Sequence, residues 1–400
     1  MERTLEKNTK FNYNNNLSAS LENWNSISEN EKSSIIENIN LSILRQNYPI
    51  HINDSEVILL YKGNNEKVEL LSDLTGWKEP LSFNKVSNPD FFFLKVNLEP
   101  DARIQYLLLV DGNPIVDPYN KYQPRHGLGA MSELAMPKYE RHPYLDEFIY
   151  GKEGSFKGLK KHILPAGSLP YEHEIYVYLP EDYDKNKKYP TIYFHDGPDY
   201  IRYGVVPSSL KKIITDNLIE PCIAVFVTPP NLHQPKEPNR STEYGLNDDY
   251  VKFFCDELVP FIDSNYNSDK DARRRIIIGD SYAGLISFYI AFVRNDIFAN
   301  AYSQSGYFSF NKNRLINLFR NEPFKNLNLM FDVGTYEKIV GADFIPPDEQ
   351  DFTKANRVMK EVLQSRNYSF VYNEYHDGHL WGSWRKLLIN ALIHFLGVKK

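Results

Sequence analysis

The chain has 400 residues, a formal net charge of −6 and 14% aromatic residues. That length exceeds a comfortable single core and points to two domains of unequal size. The mildly acidic balance with scattered basic residues argues against a nucleic-acid surface, and no run reaches the roughly 18 apolar residues that span a bilayer.

The start, MERTLEKNTKFNYNNN, has no apolar signal core, so a cytoplasmic protein is the expectation. Residues 1–45 are polar and rich in Asn, Ser and Glu, with a weak helical pattern over Ser33–Leu44, and read as a flexible or loosely docked leader. From Glu56 the texture changes to short alternating runs, VILLYKG, KVELLSD, FFFLKVNL and IQYLLLVDG, each bounded by Gly, Asn, Asp or Pro. Runs of this length and spacing predict a small antiparallel sandwich over residues 46–135. The order of these runs, followed by Asp117-Pro118-Tyr119-Asn120, resembles the immunoglobulin-like modules that precede the catalytic domains of enterochelin esterases and, more distantly, starch-binding modules. Trp77 has two readings, a ring that stacks on a ligand or a cap on the sandwich core. The Asp117–Asn120 stretch reads as a turn at the domain exit.

Residues 136–168 hold Pro137, Pro143 and Pro165 with several glycines and read as a connector. Residues 169–400 then alternate strand and helix patterns: HEIYVYLP, KKYPTIYFHDG and EPCIAVFVTPP as strands, with helices near Ser208–Asn217 and Asp248–Ser264. Further strands are expected just ahead of the Gly279-Asp280-Ser281 turn and at Ala299–Ser303, Asn328–Val333 and Ser369–Tyr375, with helices after Ser281, near Thr353–Arg366 and over Trp384–Leu396. This alternation predicts a mostly parallel sheet with helices on both faces. Cys222 and Cys255 sit inside apolar runs without metal-type spacing and read as small buried residues.

The segment Arg275–Tyr289, RIIIGDSYAGLISFY, has the form of a nucleophile elbow with Ser281 at its tip. A serine hydroxyl projects usefully only from a tight strand-to-helix turn, so the residues two before and two after it must be small. Here they are Gly279 and Ala283. The helix that follows aims its free N–H groups at charge developing on a substrate oxygen.

An elbow serine needs a base and an orienting acid, which in the α/β-hydrolase arrangement follow in the order Ser, acid, His. The polar loop EYHDGHLWGSW supplies His379, beside Gly378 and followed by Trp381 and Trp384 as an indole wall. His376 is the competitor and fits equally a role in fixing the loop. Glu337 lies just past the strand NLNLMFDVGT, where the functional groups of an open α/β sheet gather. Asp332, Asp343 and Asp377 remain alternatives for the acid. The oxyanion donors expected are the N–H of Tyr282 and one N–H from the turn after TIYFHDGPDY, at Gly197, Asp199 or Tyr200. His195 and Asp196 are either substrate contacts or residues that shape that turn.

Three blocks, YPTIYFHDG, RSTEYGLNDDYVKFFCDELVPFID and IIIGDSYAGLISFYIAF, together with the late GHLWGSW, resemble the Putative esterase family that contains enterochelin esterases, the esterase D group and feruloyl esterases. The resemblance covers residues 165–397 and implies an α/β-hydrolase domain after an immunoglobulin-like sandwich. It maps the family's serine, acid and histidine onto Ser281, Glu337 and His379, and it puts Arg240 and Glu243 at the mouth of the site. A loop-fixing ion pair is the other reading of those two. Ala283 replaces the family's usual glycine, and Val340–Asp351 is an added loop beside the expected acid.

The expectation is a serine esterase that forms an acyl-enzyme on Ser281 and needs no metal or cofactor. Its partner would be a small-molecule ester touched by Asp196, Arg240, Glu243 and Trp381, with a homodimer as the candidate assembly and neither nucleic acid nor membrane. The rival reading is an inert hydrolase scaffold that binds carbohydrate or another ligand through the sandwich.

Overall fold

The computed structural model describes residues 17–45, 47–86, 90–126, 129–142, 154–232 and 236–398. Residues 1–16 of the expected leader and 143–153 of the expected connector lie outside the described residues. Contacts divide the chain into two units, one of Met1–Arg141 with His376–Gly378 and one of His142–Tyr375 with His379–Lys400.

In the first unit, helix α1 (Glu29–Leu44) is capped by the Ser28 side chain, which accepts from the Glu31 N–H. Ten strands follow before the chain leaves this unit's second sheet at an eleventh: β1 (Ile50–His51), β2 (Glu56–Lys62), β3 (Val68–Ser72), β4 (Leu81–Ser82), β5 (Asn84–Val86), β6 (Phe91–Asn97), β7 (Arg103–Val110), β8 (Asn113–Ile115), β9 (Arg125–His126), β10 (Gly129–Ala130) and β11 (Ser132–Ala135). One sheet has the order β1-β2-β6-β5, a second has β11-β7-β3-β4 with β8 on β7, and β9 and β10 form a two-stranded pair. All pairings are antiparallel. The runs that signalled strands are the buried ones: Val57 to Leu60 and Phe91 to Phe93 are almost fully covered. The Asp117–Asn120 turn is also a core element. The Asp117 carboxylate accepts from the hydroxyls of Tyr48 at 2.8 Å and Tyr106 at 2.7 Å, and from the Tyr119 N–H at 2.9 Å. Trp77 is half-buried, and its indole N–H donates to Asp73 at 3.0 Å, which ties the ring to the sandwich.

The second unit is built on one sheet of eight strands: β12 (Lys160–Leu164), β13 (His173–Tyr178), β14 (Thr191–Phe194), β15 (Ile223–Val227), β16 (Arg275–Asp280), β17 (Asn300–Gln304), β18 (Asn328–Gly334) and β19 (Ser369–Tyr375), in the order β12-β13-β15-β14-β16-β17-β18-β19. Strands β12 and β13 are antiparallel to their neighbours and the rest are parallel. Strand β12 falls in the segment read as a connector. It is a mostly exposed edge strand, so it carries no apolar alternation for a sequence reading to find.

The helices are α2 (Gly197–Arg202), α3 (Val206–Thr215), α4 (Arg240–Tyr244), α5 (Asp248–Lys252), α6 (Val259–Asn265), α7 (Tyr282–Val293), α8 (Phe310–Asn321), α9 (Phe352–Ser365) and α10 (Trp381–Leu396). A π-helical turn, Phe253–Leu258, joins α5 to α6, so the single helix expected over Asp248–Ser264 is continuous but locally widened. Two apolar clusters fill the unit, one including Ile277, Leu285 and Phe331, the other including Ile278, Phe194 and Leu388. Consecutive residues of β16 thus feed different clusters, as alternation in a strand covered on both faces requires. This is the α/β-hydrolase architecture, with helices on a mostly parallel sheet. Both cysteines are free and buried. Among the described residues no helix is long and apolar enough to cross a membrane.

Ile277 is fully buried between Tyr193 and Ala301 on the central strands. Ile277→Ala should lower the unfolding free energy by about 2–5 kcal/mol, whereas Ile163→Ala on the exposed edge strand should change it by less than about 1 kcal/mol. Urea unfolding of the two variants checks this; equal losses would contradict the burial argument.

Candidate active site

Strand β16 ends at Asp280, and Ser281 follows with φ 55° and ψ −117°. That backbone is one a non-glycine residue holds at a cost of about 1–3 kcal/mol, so the surrounding turn must fix it. Two hydrogen bonds do so: the Ser281 N–H donates to the Gln304 carbonyl at 2.8 Å, and the Ser281 carbonyl accepts from the Tyr307 N–H at 3.0 Å. A Cβ on Gly279 would overlap the Ala283 backbone, so the turn closes only with glycine there. Ala283, the departure from the family's usual glycine, keeps its methyl because Gly279 has none. Helix α7 starts at Tyr282 and is buried almost throughout, so its free first N–H groups lie beside the serine.

Glu337 follows β18 and is almost fully buried. Its Oε2 lies 2.7 Å from Nδ1 of His379, which follows β19. Its Oε1 accepts from the Ser305 hydroxyl at 2.7 Å and from the Gly334 N–H at 2.7 Å. A carboxylate only accepts, so the imidazole carries its proton on Nδ1 and leaves Nε2 as the reactive nitrogen. The His379 ring stands edge-on to Trp384 at 4.9 Å and to Phe352 at 5.0 Å. Trp384 also donates its indole N–H to Ser305 Oγ at 2.9 Å. Ser305 was not anticipated; Ser305-Gly306 directly after a strand's C-terminal end was the available signal.

The alternative acids are placed otherwise. Asp332 is buried within β18, bonded to the Tyr302 hydroxyl. Asp343 is exposed. Asp377 bonds Arg103 at 3.0 Å inside the first unit. His376 pairs with Asp101 at 2.7 Å in the same unit, the loop-fixing role.

In the turn after β14, Asp196 adopts φ 48°, and the N–H groups of Asp199 and Tyr200 both donate to its carbonyl. Gly197 opens helix α2, where a first N–H has no intrahelical acceptor. A Cβ on Gly197 would strike Phe226 and Val227, so glycine is required there by the neighbouring strand β15. His195 is fully buried and stacked on Phe254, and burial pushes its imidazole down to about 3.

Arg240 donates from Nε to Asp196 Oδ2 at 2.6 Å and from Nη2 to the Asp280 carbonyl at 3.1 Å. Its guanidinium lies over the rings of Tyr244 and Tyr282 at 5.5 and 6.0 Å. It therefore ties the turn after β14 to the elbow. Glu243 is fully buried and bonds His173 Nε2 at 2.6 Å, away from solvent. Trp381 is buried edge-on against Tyr200 at 4.9 Å and Trp384 at 5.5 Å. In the added loop, Phe344 is 70% exposed and its ring lies 6.3 Å from that of Tyr282.

A model of the Putative esterase family matches residues 166–395, more than half of the chain. The chain belongs to this esterase family. Over 227 residues, 56% of this esterase, it is 28% identical to the uncharacterized protein YjcH of Bacillus subtilis, covering 91% of that protein. Among solved structures, it is similar in fold to the ferric enterobactin esterase of Salmonella typhimurium, with a TM-score of 0.70 at 17% identity, over 85% of this chain and 93% of that one. The enterobactin esterase FES of Shigella flexneri, solved in the presence of enterobactin, gives 0.69 at 19% identity, over 86% and 94%.

The Asp332 carboxyl is pushed up to about 8, by burial first and also by the Glu337 charge, with the Tyr302 hydroxyl opposing. Its ordinary value is about 4. Between these values the folded chain keeps a proton that the unfolded chain releases, so native stability falls as pH rises through that window. Asp332→Asn removes this dependence. The stability of this variant relative to wild type should therefore rise from pH 5 to pH 8 in urea unfolding. A pH-independent difference would mean that Asp332 is ionised in the native esterase.

Proposed function

We propose that this esterase hydrolyses a small-molecule carboxylic ester through an acyl-enzyme on Ser281. The observation that carries the reading is the 2.7 Å contact between His379 Nδ1 and a Glu337 carboxylate whose other oxygen is held by two donors. In this reading His379 Nε2 takes the proton of Ser281 Oγ as it attacks the ester carbonyl. The Tyr282 and Gly197 N–H groups hold the resulting oxyanion, each aided by the N-terminus of its helix. The imidazolium, stabilised by Glu337, gives its proton to the departing alcohol. Water then repeats the sequence on the acyl-enzyme, with His379 first as base and then as acid.

Asp196 and Arg240 act by holding the turn that carries Gly197 against the elbow, and Trp381 walls the pocket. Glu243 supports this region from beneath through His173. The ring of Phe344 beside Tyr282 gives the mouth an aromatic rim suited to an ester with a flat apolar group. The esterases of similar fold include one named a ferulic acid esterase, at a TM-score of 0.50.

Hydrolysis of p-nitrophenyl acetate tests the chemistry. Ser281→Ala and His379→Ala should each reduce kcat by about 10³-fold or more, and Glu337→Gln by about 10²-fold or more. Equal rates for wild type and Ser281→Ala would remove the nucleophile assignment. Full activity in Glu337→Gln with loss in Asp332→Asn or Asp343→Asn would move the acid. A panel of acetyl, feruloyl and catechol esters then ranks the substrate class.

A further inference from the structure

The three residues ahead of His379, namely His376, Asp377 and Gly378, belong to the first unit. Their chain neighbours on both sides belong to the second unit, so contacts rather than chain continuity build them into the first. The backbone N–H of Arg103, the first residue of β7, donates to the His376 carbonyl at 2.8 Å. The Arg103 side chain donates from Nη1 to Asp377 Oδ1 at 3.0 Å and from Nε to Glu133 Oε2 at 2.7 Å. Glu133 also pairs with Arg141 at 2.6 Å. The Gly378 N–H donates to the same Asp377 oxygen at 2.9 Å. On its other side Gly378 abuts Asp73 so closely that a Cβ would overlap the carboxyl group. Asp73 is itself held by the Gln105 N–H at 2.6 Å and the Trp77 indole at 3.0 Å.

This cluster is expensive. Arg103, Glu133, Asp377 and Asp73 are all no more than 4% exposed. Burial works against the Arg103 charge, and Glu133 and Asp377 hold it protonated. Burial raises Asp377 to about 6 even though Arg103 opposes it. Apolar residues of similar volume generally stabilise such a site as well or better, so a buried ion cluster is weak evidence for stability and better evidence for a fixed geometry. What it fixes is a loop that ends one residue before His379. Consecutive Cα atoms are about 3.8 Å apart, so pinning Gly378 leaves the His379 backbone little freedom.

We propose that Arg103 and Asp377 are positioning residues for His379, acting through the His376–Gly378 segment that directly precedes the base. The proposal rests on the reading of His379 as that base. The Arg103–Asp377 bond and the close fit of Gly378 against Asp73 set where the loop ends, and the Glu337 contact sets how the ring turns. Loss of the first displaces the imidazole from the serine without touching substrate.

The test compares Asp377→Ala, Gly378→Ala and His379→Ala in the full chain, with p-nitrophenyl acetate turnover expressed per site titrated to end-point with a fluorophosphonate. Asp377→Ala leaves Arg103 paired with Glu133, and Gly378→Ala keeps every charge while pushing the loop off Asp73, so at least one variant should fold cooperatively. Expected is a 10- to 100-fold fall in kcat for the folded variants with KM within about twofold of wild type. Asp377→Asn, which keeps the oxygen that accepts from Arg103 and Gly378, should recover most of the loss. Wild-type kcat per titrated site in a folded Asp377→Ala or Gly378→Ala would overturn the proposal. Retained activity in His379→Ala would instead remove the base assignment on which it stands.

Discussion

The hydrogen-bond ladder of the central sheet does not stop where its strands do, and the site depends on that extension. Beyond the regular pairing, the Ser281 N–H donates to Gln304, the Ser305 N–H to Asp332 and the Thr335 N–H to Tyr375, each at 2.8 Å. These rungs join the ends of β16, β17, β18 and β19 in spatial order. The segments that carry Ser281, Ser305, Glu337 and His379 therefore start from a common backbone frame. Parallel neighbours lie about 4.8 Å apart, and Ser281 and His379 follow strands three places apart, β16 and β19. Strand β17 supplies none of the three proposed reacting residues, yet its Ser305 joins the frame to the Glu337 carboxylate.

The parts legible in the sequence are those whose cause is local. The elbow needs small residues two before and two after the serine, and the clash that a Cβ on Gly279 would make with Ala283 is the physical form of that rule. Strands β16 and β18 were legible because burial on both faces leaves short apolar runs, and the expected Ser369–Tyr375 coincides with β19, a partly buried edge strand. Helix α10 begins at Trp381, three residues before the expected Trp384; Leu380 stands at its N-cap, so no polar cap marks the start in the sequence. The pairing of Glu337 with His379 was expected from strand-end position and chain order, and Glu337 Oε2 lies 2.7 Å from His379 Nδ1.

What stayed hidden is set by partners far away in sequence. Arg240 and Asp196 are 44 residues apart, and Glu243 and His173 are 70 apart. Neither pairing leaves a spacing signature, so a charged residue that ties turns together looks the same in sequence as one that greets a substrate. The Arg103–Asp377 bond spans 274 residues. Its sequence trace is one arginine opening a strand and one aspartate in a polar loop, each ordinary alone. Only burial turns them into a statement about geometry, because a charge removed from water must be matched by a particular partner.

The same reasoning separates the two carboxyls at the end of β18. Asp332 and Glu337 are close enough that the charge of one raises the proton affinity of the other. Their surroundings differ. Asp332 has the Tyr302 hydroxyl and an apolar setting, and burial raises its pKa. Glu337 has the Ser305 hydroxyl, the Gly334 N–H and the His379 ring, three donors converging on two oxygens. A carboxylate so held offers the imidazole a fixed acceptor. The strand interior thus carries one acid and the strand end the one that faces the histidine.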